Sequence, residues 1–167
     1  QATFDEPVSA VDAGDFSLTV TGGISGASVL SVSPAGPADT YTVTVNTGSG
    51  DGTLRLDVSD NDTIVDAVGN ALGGLGAGNG DYTAGEVYTI DKTSPATGTV
   101  TAPDVDQAGT GQTSYPFTIQ FTDNSAIDVA TLDGSDVTVT GPNSFSQNAA
   151  FVSVAPAGDG TPRTATY

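Results

Sequence analysis

The side chains able to do chemistry in this 167-residue chain are almost all carboxylates. Twenty acidic residues face three basic ones, Arg55, Lys92 and Arg163, giving a formal net charge of −17, and eighteen of the acids are Asp. The densest stretch is Asp57, Asp60, Asn61, Asp62, Asp66 and Asn70, directly before the Gly-rich segment 69–80. Hard oxygens so closely spaced in a loop suit Ca²⁺, which takes about six to eight of them and tolerates irregular geometry. Asp5 and Glu6 are expected to join this group from the same pole of the fold. A second candidate is Asp91, with Asp123 and Asp128 at the facing end of the next module. Beside both stands the plainer reading, in which acidic loops are solvated and Asp builds turns. Asp104 and Asp106 read as solvated only. The EF-hand spacing is absent, and Gly73 to Asp81 matches a calcium β-roll repeat only once, so it reads as a loop.

What is missing excludes more. With no Cys, His, Met or Trp there is no disulfide, thiolate or imidazole metal site, no Ser-His-Asp triad and no Cys nucleophile. Nothing singles out a pair of carboxyls placed for glycoside hydrolysis, so no enzymatic activity is expected. Three scattered cations on an acidic body argue against nucleic acid and anionic lipid as partners. No apolar run approaches the roughly 20 residues of a bilayer span, so no direct membrane insertion is expected.

The elements positioning these groups are predicted to be strands. Tyr41, Val43 and Val45 alternate with threonines, and Leu54, Leu56 and Val58 alternate with Arg55 and Asp57. The turn-forming sequence 47–52 between them predicts a β-hairpin. Further strands are expected at 16–20, 29–32, 86–90, 117–121, 137–139 and 151–154. Short strands between Gly, Pro and Asp punctuation predict a sandwich.

The chain also repeats itself. Phe4-Asp5 returns at Phe121-Thr122-Asp123, Gly14-Asp15-Phe16 at Ser135-Asp136-Val137, Thr21-Gly22 at Thr140-Gly141, and Val32-Ser33-Pro34-Ala35-Gly36 at Val154-Ala155-Pro156-Ala157-Gly158. The offset stays near about 120 residues, which reads as two copies of one module. On this phase the first copy lacks its opening strand and the second its last strands. Either the chain is a window on a longer array, or neighbouring molecules supply those strands.

Phe4-Asp5-Glu6-Pro7-Val8, Asp15-Phe16, Asp66-Ala67-Val68-Gly69-Asn70 and Tyr88-Thr89-Ile90-Asp91-Lys92-Thr93-Ser94-Pro95 together resemble the bacterial immunoglobulin-like (Big-type) tandem repeats of large secreted or surface adhesin proteins. Asp123 to Asp128 departs from that pattern where copy one has Glu6-Pro7-Val8. The resemblance implies an all-β fold of tandem immunoglobulin-like β-sandwiches, 1–94 and 95–167. It implies an extracellular, cell-surface location and a non-catalytic spacer or stalk role stiffened by Ca²⁺, with neighbouring repeats of the chain as partners. A ligand-binding adhesin or carbohydrate module, or a self-assembling fibre or surface-layer subunit completed by neighbouring subunits, are the alternatives.

Overall fold

A computed structural model describes residues 1–104, 108 and 111–167; Asp106 lies outside them. The chain is all-β, and among the described residues the sheets are antiparallel and helix is confined to short 3₁₀ turns. Among the described residues no helix is long and apolar enough to cross a membrane. Contacts divide the chain into two compact units, Gln1–Lys92 and Thr93–Tyr167.

In the first unit, β1 (Ala2–Val8), β4 (Ala38–Asn46) and β3 (Ser28–Ser33) form one sheet in the order β1-β4-β3. The other holds β2 (Phe16–Gly22), β5 (Gly52–Val58) and β6 (Val87–Ile90) in the order β2-β5-β6. The inward faces meet in a core of Val8, Val11, Phe16, Tyr41 and Ile64, with Phe4, Val32, Val43, Leu56 and Val58 packed around it. Burial of these apolar side chains from both sheets is what holds the layers together.

The expected hairpin between the Tyr41–Val45 and Leu54–Val58 strands does not form. β4 pairs with β1 and β3, and β5 pairs with β2 and β6. The two strands bury apolar faces in the same core from opposite layers, so the segment between them crosses over. It crosses beside the equivalent segment joining β2 to β3. Gly23 donates its N–H to the Asp51 carbonyl at 2.7 Å, and Ser25 and Ser49 exchange backbone bonds at 2.9 and 2.8 Å. Residues 16–33 and 42–58 therefore form one long antiparallel ribbon bent around the edge of the sandwich. Gly48 (φ +69°) and Gly50 (φ +80°) sit at the bend, where a Cβ would come within 2.2 Å of the Ser25 and Gly23 carbonyl oxygens. Glycine there serves a sheet-to-sheet corner, with positive φ and close backbone approach.

The second unit contains a four-stranded sheet in the order β11-β12-β8-β7, from β7 (Ala96–Thr101), β8 (Thr118–Thr122), β11 (Ser153–Ala155) and β12 (Arg163–Thr166). It also contains a two-stranded sheet of β9 (Thr138–Gly141) and β10 (Phe145–Asn148). Ile119, Ala165 and Tyr167 form the core with Phe117, Phe121, Leu132, Val137 and Phe151. The Tyr167 ring stacks on Phe117 at 5.9 Å and meets Phe151 edge-on at 5.8 Å.

The two units share a strand register. In the first, pairing runs from Ala2↔Tyr41 to Val8↔Ala38, six residues along one strand against three along the other. In the second it runs from Phe121↔Arg163 to Ile127↔Gly160, again six against three. The structural equivalent of Ala2 is thus Phe121, two positions from the alignment that the Phe4-Asp5 and Phe121-Thr122-Asp123 match suggests.

Candidate functional site

The candidate site is the long acidic loop between β5 and β6, together with the short Asp-capped turn Ala13–Asp15 that it meets. It is built on Asp15, which is almost fully buried at 1 % exposure. Asp12 caps a 3₁₀ turn, Ala13–Asp15, by accepting from the Gly14 N–H at 2.7 Å, while the Asp15 Oδ2 accepts the Asp12 N–H at 2.8 Å. The Asp15 Oδ1 accepts the Thr63 hydroxyl at 3.0 Å, tying the turn to the loop. Two reciprocal caps of this kind satisfy amides that no strand ladder reaches.

The second unit repeats the device 121 positions on: Asp136 accepts the Asp133 N–H at 2.7 Å, and Asp133 accepts the Ser135 N–H at 2.6 Å. Asp136 also takes the Tyr167 hydroxyl at 3.1 Å. Burial, reinforced by that carboxylate, pushes the Tyr167 phenol up to about 12.

Within the loop the expected ligands are used as acceptors for the loop's own amides. Asp60 accepts the Asp62 N–H at 3.0 Å and the Gly80 N–H at 3.1 Å, and its own N–H goes to Asp81 at 2.7 Å. Asp62, at φ +67°, takes the Gly76 N–H on both carboxylate oxygens at 3.0 and 3.2 Å. Asp66 accepts the Val68 and Asn70 amides at 2.8 and 2.9 Å and the Asn70 side chain at 2.6 Å. The amide bonds from Asp62 and Asn70 respectively hold the Asp60 and Asp66 carboxyls below their ordinary value.

Asp57 is positioned differently. It lies on β5, buried at 4 % exposure, and takes Arg55 through two guanidinium nitrogens at 2.6 and 3.1 Å and the Thr19 hydroxyl at 2.6 Å. The Arg55 hydrogen bond is the main reason its carboxyl sits low.

Asp5 and Glu6 are exposed residues of β1 itself, within the strand and not on a polar loop. Asp91 follows β6 in the first unit, whereas Asp123 and Asp128 belong to the second. Asp128 caps the 3₁₀ turn Val129–Thr131 through the Ala130 N–H at 2.9 Å. Asp123 accepts the Ser125 N–H at 3.0 Å on one oxygen, while its other oxygen is enclosed without a hydrogen-bond partner.

Among the described residues no three acidic side chains converge on one point. As arranged, Asp60, Asp62 and Asp66 do not present the roughly six to eight oxygens a calcium shell requires. The residues that sequence reasoning passed over are Asp12, Asp15, Asp81, Asp133 and Asp136. For four of them the Asp-x-x-Asp spacing at 12–15 and 133–136 is the signal, one that Asp57 and Asp60 also carry.

A separate feature is an open cleft of about 970 Å³ in the first unit, between the β1 edge of one sheet and the β6 edge of the other. Val43, Val45, Leu54 and Leu56 line it along with Asp5, Asp81 and Glu86, and no Lys or Arg does.

No family model, curated protein or solved structure matches the chain.

Proposed function

We propose that the chain is a non-catalytic spacer of an extracellular bacterial surface protein, built as a tandem of immunoglobulin-like modules whose Asp residues serve as structural acceptors. The observation that carries this reading is the recurrence, in one chain, of the same Asp-x-x-Asp cap and the same six-against-three strand register. Repeating one self-contained unit is how a chain gains length without new chemistry.

One further feature supports the immunoglobulin-like part. The orders β7-β8-β12-β11 and β6-β5-β2 correspond to the four-stranded ABED and three-stranded GFC sheets of that architecture. Stiffness in such a spacer comes from the loops' own amide bonds or from calcium in their place, since an ion on Asp60 or Asp62 displaces those donors. Pulling the chain by its two ends tests the spacer reading: two separate unfolding steps fit it, and extension without resistance does not.

A further inference from the structure

Of the seven asparagines in the chain, Asn79 alone is followed by glycine; the others precede Thr, Asp, Ala or Ser. A side-chain carboxamide and the next backbone nitrogen can close a five-membered ring, and glycine at the second position puts no side chain in the way. The fold decides whether such a pair is held apart or brought together.

Four glycines surround the Asn79 side chain. Gly78 and Gly80 flank it in sequence. A Cβ on Gly73 would come within 2.6 Å of both the Asn79 Oδ1 and the Gly80 nitrogen, and one on Gly76 within 3.6 Å of the Asn79 Nδ2. The carboxamide and the nitrogen able to attack it therefore lie together against the Gly73 backbone. Asn46, Asn61, Asn70 and Asn148 each hold their side chains in hydrogen bonds. The Asn79 carboxamide makes none among the described residues.

The nitrogen is also met by a base. The Gly80 N–H donates to the Asp60 Oδ2 at 3.1 Å. Asp60 is 6 % exposed, with its own N–H held by Asp81 at 2.7 Å and its carbonyl accepting the Gly78 N–H at 3.0 Å, so its carboxylate is fixed in place. An amide proton lies in the peptide plane, whereas attack by the nitrogen proceeds from a face of that plane. Asp60 and the Asn79 Cγ thus address the same nitrogen from different directions, with the base within reach of the proton it must take.

We propose that Asn79-Gly80 is a self-modification site, in which Asp60 takes the Gly80 amide proton as that nitrogen attacks the Asn79 Cγ. The N–Cγ bond forms, the Cγ–Nδ2 bond breaks, and Nδ2 leaves as ammonia with the proton passed on by Asp60. Water then opens the cyclic imide at either carbonyl, leaving aspartate or isoaspartate at position 79. Nothing is oxidised or reduced, and water is the only co-reactant. The product adds a negative charge to the loop that holds Asp60, Asp62 and Asp81. Isoaspartate also lengthens the main chain by one carbon, which draws the Gly80 N–H away from Asp60 and loosens the loop irreversibly. The site does not depend on the spacer reading.

The test keeps the full chain folded at neutral pH over weeks and follows each asparagine by peptide mapping, with isoaspartate read by mass spectrometry. Conversion at position 79 is expected to outrun that at every other asparagine. Asp60→Asn is expected to slow it about tenfold, less than the usual general-base contribution of about 10²–10⁴, because a carboxyl that sits low is a weak base. Asn79→Gln, which needs a six-membered ring, is the control for ring closure and is expected to abolish it. Conversion at position 79 no faster than elsewhere, or an unchanged or greater rate in a folded Asp60→Asn chain, overturns the proposal. Should that variant not fold, the unsubstituted chain in urea, where the Asp60 contact is lost, takes its place. A slower rate there than in the folded chain supports the site, and an equal or faster one overturns it.

Discussion

Replacing Tyr41 by Phe removes one oxygen from the centre of the first unit. The ring, 1 % exposed, keeps its edge-on contact with Phe4 at 6.0 Å, so packing is preserved and only hydrogen bonds are lost. The hydroxyl donates to the Val8 carbonyl at 2.7 Å and accepts the Ala38 N–H at 3.2 Å. Leaving buried partners unsatisfied costs about 1–3 kcal/mol, and about 2 kcal/mol is expected here. For a unit of this size each ~1 kcal/mol moves Tm by about 4–8 °C, so Tyr41→Phe lowers it by roughly 8–16 °C. Heating the labelled chain while following amide resonances of Leu54 and Ile64 reads the first unit. Ile119 and Ala165 serve as the reference in the second. A fall of less than about 2 °C would refute the reasoning, because it would mean the hydroxyl adds nothing that water does not replace.

The corner makes a paired prediction: Gly48→Ala destabilises the first unit by about 2–4 kcal/mol, whereas Gly26→Ala costs only the left-handed backbone penalty of about 1–2 kcal/mol. Gly48 faces the Ser25 carbonyl, and a Cβ on Gly26 (φ +75°) meets nothing within 4 Å; equal urea midpoints for the two variants would contradict this. The pH dependence has two limbs. Asp57, Asp60 and Asp66 titrate below their ordinary 3.8 when folded, so their contribution is present above that value and is lost as pH falls through the lower folded one. Tyr167 is raised from 10.0 to about 12, so its contribution is complete below 10 and is lost as pH rises between about 10 and about 12. Urea midpoints across pH read both limbs, and Tyr167→Phe is expected to remove the alkaline contribution of that group. Finally, loops held by their own amides predict the same melting curve in excess calcium and in chelator, and a rise of several degrees with calcium would assign the ion to them.

The strands were legible where alternation was strict. Expected segments at 16–20, 29–32, 41–45 and 54–58 coincide with β2 to β5, because one buried face imposes period-two patterning on the residues themselves. β10 and β12 were harder to read: Phe145–Asn148 and Arg163–Thr166 are four residues each, with little apolar alternation. Pairing was less legible than strand position. The same Gly-rich 47–52 segment suits a hairpin or a corner, and the outcome is set by which other strands are taken as partners, β1 and β3 by β4, β2 and β6 by β5. The acidic loop was visible as composition, but its use was not. Whether an Asp oxygen meets an ion or a backbone N–H depends on which amides the loop brings back to it, as Gly76 returns to Asp62 across fourteen positions. Asp15 was visible within the repeat, but its buried carboxylate is met by Thr63, which is remote in sequence.

Single-molecule extension of the whole chain tests the spacer account most directly. Units of 1–92 and 93–167 predict two rupture events, releasing contour lengths of roughly 300 and 250 Å before the folded end-to-end distances are subtracted, at about 3.3–3.6 Å per residue. Each event should need a force well above that which stretches an unfolded chain. Smooth extension with no rupture, or one event releasing both lengths together, would contradict it.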